Sequence, residues 1–409
     1  MLVSFSLENY KSFKEQQILS FVSPVKDEHQ GHILELENGL CISRFAAIIG
    51  GNGVGKTQLI SAIDELTKAI TDDDYSKLHH PFILDDSKNK ETSYEFIILE
   101  RNKTYFLRYG ISVLNNVILK EYLYTRPVKK AAKEQCVFIR DENGLSFKKE
   151  GYKKHEKLIA PILKNTGSVL TFANSLEAKE LSDVKDWAED QFVITKKTVH
   201  AYTLENLEYA LNRLLSDDND GKFVERVINI YNEFITSLPL YIDSVSFEKS
   251  KDSSDNELIF KVSNNEGVIT EITANNRDDF FSEGTMNVLV YLAGIIWSTE
   301  SDRTLYIDEI DSSVHYNLAA ALINKIINIR EKADNMQFVL STHNIPLLDD
   351  CFRRDEVNIV IKGDDKTSRI ENIAQFSMRK DAKISAKHFR NEFGSLPKIL
   401  GFMDGKDAV

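Results

Sequence analysis

The chain has few cysteines and no long hydrophobic run, and each absence excludes a class of protein. Three of its 409 residues are cysteines, Cys41, Cys136 and Cys351, and none forms a C-x-x-C pair. This spacing argues against a zinc site or a disulfide scaffold and fits a reducing cytosol. The longest apolar run, Val288–Trp297, is about half the length needed to cross a bilayer. The first residues include polar side chains where a signal peptide would be apolar. We therefore expect a cytoplasmic protein without a membrane partner.

The charge is negative overall and uneven along the chain. A net charge of −12 argues against a protein whose whole surface coats nucleic acid. The segment Lys120–Lys164, however, holds twelve Lys/Arg and six Asp/Glu, a local charge of +6, so the remainder carries −18. This contrast fits either a partner surface or an ordinary solvated, Lys-rich face. With 42% apolar and 28% charged residues, the chain is expected to form two or three globular domains.

A glycine-rich motif stands between two apolar segments near the N-terminus. Residues 50–57 read GGNGVGKT, which fits the phosphate-binding pattern G-x-x-x-x-G-K-[ST]. The preceding run Phe45–Ile49 predicts a buried strand, and Gln58–Ile70 has the apolar spacing of a helix. This strand–loop–helix context favours a nucleotide-binding loop over a chance Gly-rich turn.

Each residue of the loop has an expected task in binding ATP and Mg²⁺. Backbone N–H groups close around the phosphates, and the helix N-terminus adds its positive dipole end. Lys56 is expected to reach the β- and γ-phosphates as a catalytic group, and the Thr57 hydroxyl to bind Mg²⁺. The loop residues expected to contact the nucleotide are Gly50, Asn52, Gly53, Val54, Gly55, Lys56, Thr57 and Gln58.

Two carboxylates follow a second apolar strand. Thr304–Asp308 (TLYID) reaches Asp308 and Glu309 directly. We expect Asp308 to bind Mg²⁺ through water and Glu309 to polarise the attacking water as a catalytic residue. A carboxylate at the end of a buried strand is costly without a partner, and a metal ion would supply one. The alternative is a strand followed by an acidic turn.

A histidine and a serine complete the set of candidate residues. Met336–Thr342 predicts another central strand, and His343 follows it, where an imidazole can donate to a γ-phosphate at the ligand side of such a sheet. Ser282 and Gly284 open the apolar helix Met286–Trp297, so their hydroxyl and N–H groups can meet an anion. By itself, Ser282 fits an ordinary helix N-cap equally well.

The order of these motifs is that of the ABC-type ATPases. The chain resembles the SMC/OLD-like branch of that family over about residues 1–120 and 240–409. The opening LENYKSF resembles the branch's first strand and turn, which implies that Lys11, Ser12 and Phe13 approach the nucleotide. FSEGT resembles the signature motif. IDEIDSSVH resembles Walker B plus the D-loop, which implies that Asp311 lies in the linking segment near the nucleotide.

Two features depart from the family pattern. The family often has Asp at the position of His315. In this respect the chain resembles OLD-like proteins, which have His there. No glutamine fits the Q-loop, and Glu121 or a neighbour is the substitute that the sequence offers. The size, the short insert and the ending NEFGSLPKI resemble ATPases of bacterial phage-defence and abortive-infection operons. The layout is similar to the ATPase subunit of PARIS-type systems, which implies a separate effector with a TOPRIM-like nuclease domain.

The expected fold class is α/β, with an ABC-type P-loop lobe assembled from both chain ends. We expect residues 1–120 to form its first half, residues 121–238 to form an insert of a β-hairpin and then helices, and residues 239–409 to form its second half. An antiparallel layer is predicted from Tyr94–Leu99, Thr104–Val113 and Val117–Tyr124, and a hairpin across Asn143-Gly144. The ending Ser377–Val409 fits a docking element or an ordinary helix pair.

The resemblance implies that the signature of one copy caps ATP held by another. This predicts a head-to-tail dimer or higher homo-oligomer with slow hydrolysis. The first function hypothesis is a sensor or scaffold that controls a partner effector and responds to a phage protein or nucleic acid. The second is a DNA-associated repair or clamp ATPase, which the basic segment would serve. A small-molecule kinase or GTPase is disfavoured because the chain lacks an N-K-x-D motif.

Overall fold

The computed structural model describes residues 1–24, 30–195, 204–216, 221–251, 254–312, 314–329, 335–376 and 383–394. Its strands form a seven-stranded, a six-stranded, a three-stranded and a two-stranded sheet. They are β1 Leu2–Glu8, β2 Gln17–Ser20, β3 Ile33–Glu35, β4 Cys41–Ser43, β5 Phe45–Ile49, β6 Thr92–Leu99, β7 Tyr105–Leu114, β8 Val117–Pro127, β9 Gln135–Asp141, β10 Gly144–Phe147, β11 Gln191–Ile194, β12 Ser244–Lys249, β13 Asn256–Ser263, β14 Ile269–Ile272, β15 Thr304–Ile307, β16 Phe338–Ser341, β17 Val357–Lys362 and β18 Ser368–Asn372.

Helices lie between these strands. The α-helices of the described residues are α1 Lys56–Asp72, α2 Glu150–Lys153, α3 Glu156–Ile159, α4 Ala173–Leu176, α5 Lys179–Glu189, α6 Leu204–Ser216, α7 Gly221–Ser237, α8 Arg277–Phe280, α9 Glu283–Glu300, α10 Tyr316–Ile329, α11 Pro346–Cys351 and α12 Ile384–Phe389. Short 3-10 turns span Gln30–His32, Asp86–Asn89, Val169–Phe172, Arg354–Glu356 and Ile373–Gln375. None of the helices in the described ranges is long and apolar enough to span a membrane.

The six-stranded sheet carries the glycine-rich loop. Its order is β11-β15-β16-β5-β17-β18, and every pairing is parallel except that of β17 with β18. Strand β5 is buried along its whole length, as are β15 and β16. This burial is typical of central strands in a parallel sheet covered on both faces.

The period-2 geometry of β5 divides the core into two clusters. Phe45, Ala47 and Ile49 face the cluster formed with α7, α9 and α10, whereas Ala46 and Ile48 face the cluster formed with α1 and the seven-stranded sheet. Successive side chains of a strand point to opposite faces, so one five-residue run contributes to both cores. The sheet thus holds the two halves of the chain together.

The seven-stranded sheet is the predicted antiparallel layer. Its order is β10-β9-β8-β7-β6-β1-β2, with β9 and β10 paired across Glu142-Asn143. Asn115 and Asn116 have φ of 47° and 68° between β7 and β8, a conformation that Asn tolerates in tight hairpin turns. The mixed α/β fold with this layer confirms the expected fold class.

The middle of the chain is more than a hairpin followed by helices. Strand β11 follows α5 and pairs with β15 in the parallel sheet, in the register Phe192↔Leu305. No pattern in the sequence predicted this strand. Strand β8 also continues across residue 120. The division at residues 120 and 238 stays a prediction. Of the C-terminal segment, the structure describes α12 and its flanks, and residues 377–382 and 395–409 lie outside the described residues.

Candidate nucleotide-binding site

The candidate residues lie at one edge of the sheet, just beyond the C-terminal ends of three parallel strands. Strands β15, β16 and β5 are neighbours, so their C-terminal ends meet. The glycine-rich loop follows β5, the two carboxylates follow β15, and His343 lies two residues beyond β16. The cleft at this edge has a volume of about 600 Å³, within the roughly 300–1,000 Å³ typical of small-ligand sites. It is lined by Asn52, Gly53, Gly55, Lys56, Thr57, Gln58, Glu309 and His343.

The loop needs glycine at two positions because other groups press against its backbone. Gly50 has φ of 145°, and a Cβ there would lie 2.4 Å from the carbonyl oxygen of Val360. Gly55 has φ of 118°, and its Cβ would lie 3.0 Å from Ser12 Oγ and 3.2 Å from the Phe13 ring. Strand β17 and the turn at residues 12–13 therefore enclose the loop from two sides.

Lys56 is a buried cation in the first turn of α1. Its side chain is almost fully buried, and Nζ donates to the carbonyl oxygens of Gly50 at 2.9 Å and Gly51 at 3.1 Å. Burial lowers the pKa of the Lys56 ammonium, while the negative charges of Glu309, Asp308 and Asp311 oppose that shift. The ammonium is thus held inside the loop that it is expected to serve.

Asp308 and Glu309 are both held by Ser341. Asp308 is 2% exposed, and its Oδ1 accepts from Ser341 Oγ at 2.5 Å. Burial raises the pKa of the Asp308 carboxyl, and hydrogen bonds from Ser341 and Thr57 counteract this effect. The backbone N–H of Glu309 donates to the same Ser341 Oγ at 2.7 Å, and Glu309 has φ of 54°. A buried carboxylate beside the Thr57 hydroxyl is an oxygen donor set that fits Mg²⁺.

His343 lies between the loop lysine and the catalytic glutamate candidate. Its Nδ1 is 3.3 Å from Lys56 Nζ, and its Nε2 is 3.5 Å from Glu309 Oε1. The backbone N–H of His343 donates to both carboxylate oxygens of Asp311 at 3.2 Å. A lysine, a glutamate and a histidine thus line one cleft, which is an arrangement suited to phosphoryl transfer.

Comparison with known proteins identifies the family. Residues 45–350 match the family model described as "AAA domain, putative AbiEii toxin, Type IV TA system". The chain belongs to this AAA-domain family. The matched range includes the glycine-rich loop, both carboxylates and His343. No curated protein sequence matches the chain.

A solved structure shows that this family member has the fold of an SMC head. A crystal structure of the SmcHead bound to the C-winged helix domain of ScpA aligns with a TM-score of 0.52 at 12% identity, over 90% of this chain and 97% of that one. The SMC head domain from Thermotoga maritima aligns with a TM-score of 0.41 at 13% identity, over 91% and 98%. At such identities the likeness concerns the fold alone.

Of the three residues in the N-terminal turn that were predicted to approach the nucleotide, Ser12 and Phe13 contact the glycine-rich loop or the start of α1. Ser12 donates to Gln58 Oε1 from its backbone N–H at 3.1 Å and from its hydroxyl at 2.5 Å. Phe13 is fully buried against Gly55. Lys11 instead pairs with Glu65 at 2.9 Å, so its ammonium points toward α1 and does not line the cleft. A nucleotide contact by Lys11 stays a prediction.

The segment that resembles the signature lies outside the cleft. Ser282 is the N-cap of α9, because its Oγ accepts from Thr285 N at 3.2 Å. The Ser282 side chain is exposed, and Gly284 is partly exposed. The buried Arg277 donates to Glu208 at 2.8 Å just before this helix. The N-cap is therefore present, and any role toward a nucleotide stays a prediction.

Glu121 is not part of the cleft. Its carboxylate is fully buried and accepts from Ser168 Oγ at 2.5 Å and from Val169 N at 3.1 Å. Arg140 lies 3.5 Å away. Burial raises the pKa of Glu121, and these partners counteract the shift. Glu121 thus fastens residues 168–169 to β8, and the suggestion that it replaces a Q-loop glutamine is wrong.

His315 has a local task at the start of a helix. Its Nδ1 accepts from Asn317 N at 3.3 Å, which satisfies one N–H group in the first turn of α10.

Three further polar residues near the loop were missed by sequence reasoning. Lys362 Nζ donates to Gly53 O at 3.1 Å, and Ser368 Oγ donates to Val54 O at 2.5 Å. The third is Ser341, whose place at the end of a buried strand was the one available signal.

Proposed function

We propose that this protein binds ATP with Mg²⁺ and hydrolyses it slowly at an interface between two of its own copies. The observation that carries the proposal is that Lys56, Glu309 and His343 line a single cleft at the ends of parallel strands, with Asp308 buried next to Thr57 of the same cleft. Membership of an AAA-domain family supports nucleotide binding and hydrolysis.

The residues of the cleft have distinct tasks in the proposed reaction. Lys56 turns from the carbonyls of Gly50 and Gly51 to donate to the β- and γ-phosphates. Glu309 accepts a proton from the water that attacks the γ-phosphorus, and the bond to the bridging oxygen of ADP breaks. His343 donates to a γ-phosphate oxygen. Thr57, and Asp308 through water, would hold Mg²⁺, which would neutralise charge on the phosphate oxygens.

A second copy of the chain completes each site in this proposal. Ser282 and Gly284 lie outside the cleft of their own chain and are at least partly exposed, so they are accessible to another copy. In a head-to-tail dimer or higher homo-oligomer, they would cap the nucleotide of the neighbour, with Asp311 beside it. The γ-phosphate then provides the contact that differs between the assembled and separated states, as any switch requires.

We further propose that assembly controls a separate effector in bacterial anti-phage defence. The family description, which names a toxin of a toxin–antitoxin system, supports a defence role. The related SmcHead was crystallised with a domain of ScpA, which offers a precedent for a partner protein on this fold. The effector would be a TOPRIM-like nuclease subunit, and a phage protein or nucleic acid would be the trigger.

Mass in solution tests the assembly proposal. Wild type and Glu309→Gln are measured by light scattering with and without ATP and Mg²⁺. We expect ATP to drive assembly and Glu309→Gln to trap it, because binding remains while hydrolysis stops. Glu248→Gln, at an exposed carboxylate on β12 that lies outside both the cleft and the Ser282–Gly284 segment, is a matched charge control. A wild-type protein whose mass does not respond to nucleotide would contradict the proposal.

Mixing two inactive variants tests whether the sites form between copies. Lys56→Ala removes the loop lysine, and Ser282→Arg blocks the exposed helix start. A head-to-tail heterodimer of the two variants contains one intact site, made of the normal loop of one copy and the normal Ser282 of the other. We expect the mixture to regain ATPase activity that neither variant has alone. If Ser282→Arg alone hydrolyses ATP like wild type, the interface is elsewhere.

A DNA-associated clamp is the second candidate, because the basic segment presents charge to solvent. The ten lysines of the segment are exposed, and five of them lie in the loop between β8 and β9 or shortly after β10: Lys129, Lys130, Lys133, Lys148 and Lys154. This function predicts ATPase activity stimulated by DNA and binding that weakens steeply with salt. Charge reversal at Lys129 and Lys130 would then abolish stimulation, whereas the effector hypothesis predicts that this change leaves ATP-driven assembly and ATPase activity intact.

A further inference from the structure

We propose that Ser341 is a positioning residue that sets the metal-binding carboxylate and the catalytic carboxylate with one hydroxyl group. The inference rests on the proposed ATPase function and adds a residue to its machinery. Ser341 belongs to none of the motifs in the sequence, and it is fully buried behind the cleft.

Strand register brings Ser341 beside the two acids. Strands β15 and β16 are parallel, with Ile307 opposite Leu340. Each strand's next residue therefore lies at the same level of the sheet, and these residues are Asp308 and Ser341. A hydroxyl at this position can donate a hydrogen bond to the carboxylate that follows the neighbouring strand. The side chains of Val and Leu have no group that could do so.

The hydroxyl uses both of its hydrogen-bonding capacities at this point. Oγ donates its proton to Asp308 Oδ1 at 2.5 Å and accepts from the backbone N–H of Glu309 at 2.7 Å. The carbonyl oxygen of Ser341 also accepts from Ile310 N at 3.1 Å. One residue of β16 thus holds three consecutive residues beyond β15. Rotation of the Asp308 carboxylate, or of the Glu309 backbone, would break one of these bonds.

Glu309 needs this support because its backbone is in the left-handed region. Its φ is 54°, which a residue with a side chain rarely adopts unless its surroundings enforce it. Two of its backbone bonds define this conformation: the N–H donates to Ser341 Oγ, and the carbonyl accepts from Ser312 N at 2.8 Å. The turn directs the Glu309 side chain into the cleft, where His343 Nε2 is 3.5 Å away.

Ser341→Ala tests this role by removing the hydroxyl alone. The readouts are kcat, KM for ATP, the Mg²⁺ concentration for half-maximal rate, and the affinity for a fluorescent ATP analogue with Mg²⁺. We expect kcat to fall by about 10–100-fold, as for the loss of hydrogen bonds to charged groups. The half-saturating Mg²⁺ should rise several-fold. KM should change by less than about threefold, because the loop contacts remain.

Two further variants separate positioning from a structural effect. Ser341→Thr keeps the hydroxyl in a residue that strands accept well, and it should restore kcat to within about threefold of wild type. Ser298→Ala also truncates a fully buried serine, but within the described residues its Oγ has no hydrogen-bond partner, so it should leave all readouts unchanged.

The outcomes distinguish this inference from the function on which it rests. If wild type neither binds nor hydrolyses Mg²⁺·ATP, the proposed function fails and the inference fails with it. If wild type is active and Ser341→Ala keeps its kcat and Mg²⁺ dependence, the positioning role alone is overturned. It is overturned equally if Ser341→Thr is as inactive as Ser341→Ala while both bind the analogue normally.

Discussion

The Nδ1 atom of His343 lies 3.3 Å from the Nζ atom of Lys56, although 287 positions separate the two residues. Since an ammonium group only donates, a hydrogen bond between these two atoms requires Nδ1 to accept and leaves Nε2 as the N–H donor of the ring. That nitrogen faces Glu309 Oε1 at 3.5 Å. The histidine is thus oriented so that its N–H points toward the side of the cleft where the attacking water is proposed to lie.

His343→Ala should therefore impair hydrolysis more than binding. We expect kcat to fall by about 10²-fold, the cost of losing one donor aimed at developing charge, with ATP affinity changed by less than about threefold. Steady-state kinetics and titration with a fluorescent analogue measure the two quantities. His79→Ala, at a partly exposed histidine that contacts Lys90 O, serves as the control. Equal losses in both variants would contradict a specific role for His343.

Gly50→Ala should disable the loop through a steric contact. Its Cβ would lie 2.4 Å from the Val360 carbonyl oxygen, so the loop and β17 must separate. Gly144→Ala is the matched control, because Gly144 also has positive φ, 97°, but has nothing within 4 Å of the added Cβ. Both variants carry the cost of a non-glycine residue at positive φ, about 1–3 kcal/mol. Only Gly50→Ala should also lose ATP binding, measured by titration, and melt lower still in calorimetry. Similar behaviour of the two would show that the close approach to β17 is unimportant.

The pH profile of hydrolysis should depend on Mg²⁺ through Asp308. Burial raises the pKa of this carboxyl above the ordinary 3.8, so the proton is lost at a higher pH than from a free aspartate. Hydrolysis requires the ionised form, and its rate should fall as pH drops through the raised pKa. Because Mg²⁺ and the proton compete for the carboxylate, higher Mg²⁺ should move this acid limb to lower pH. Rates measured across pH at two Mg²⁺ concentrations test this shift. If the pH at which the rate falls in acid is the same at both Mg²⁺ concentrations, the prediction is contradicted.

The same raised pKa predicts a change in stability without nucleotide. A carboxyl whose pKa is higher in the folded state than in the unfolded state destabilises the fold when the pH is above the unfolded-state pKa. The loss of stability grows with pH until the pH exceeds the folded-state pKa. Asp308→Asn should therefore increase the unfolding temperature at neutral pH relative to wild type, and by less in acid. Calorimetry at both pH values measures the difference. Glu309→Gln, which removes the charge at the neighbouring and less buried position and keeps the side-chain shape, is the control.

Local patterns were sufficient for the motifs and most of the elements. Phe45–Ile49 is a buried strand and is followed by the loop and a helix beginning at Lys56, as its apolar run and spacing predict. The turn at Asn115-Asn116 also forms where the residues accept positive φ. These features depend on neighbours within a few residues, so a sequence window contains their causes.

Long-range pairing decided what local patterns could not. Strand β11 is four residues long and follows a helix, and its place beside β15 comes from a partner more than 100 residues away. Lys11 binds Glu65 because α1 passes beside the N-terminal turn. Glu121 or a neighbour was suggested as the substitute for a Q-loop glutamine, yet Glu121 is buried against Ser168. No neighbouring residue signals these contacts.

The sequence by itself identified the candidate residues of the site. The loop glycines, Lys56, the Asp308–Glu309 pair and His343 are recognisable by type and spacing alone. Their assembly at one edge of the sheet was decided by the tertiary structure. The order β15-β16-β5 places three distant segments side by side, and it arises from hydrogen bonds between strands that are far apart in the chain. The same register sets Ser341 against Asp308, a contact that exists only when those strands pair.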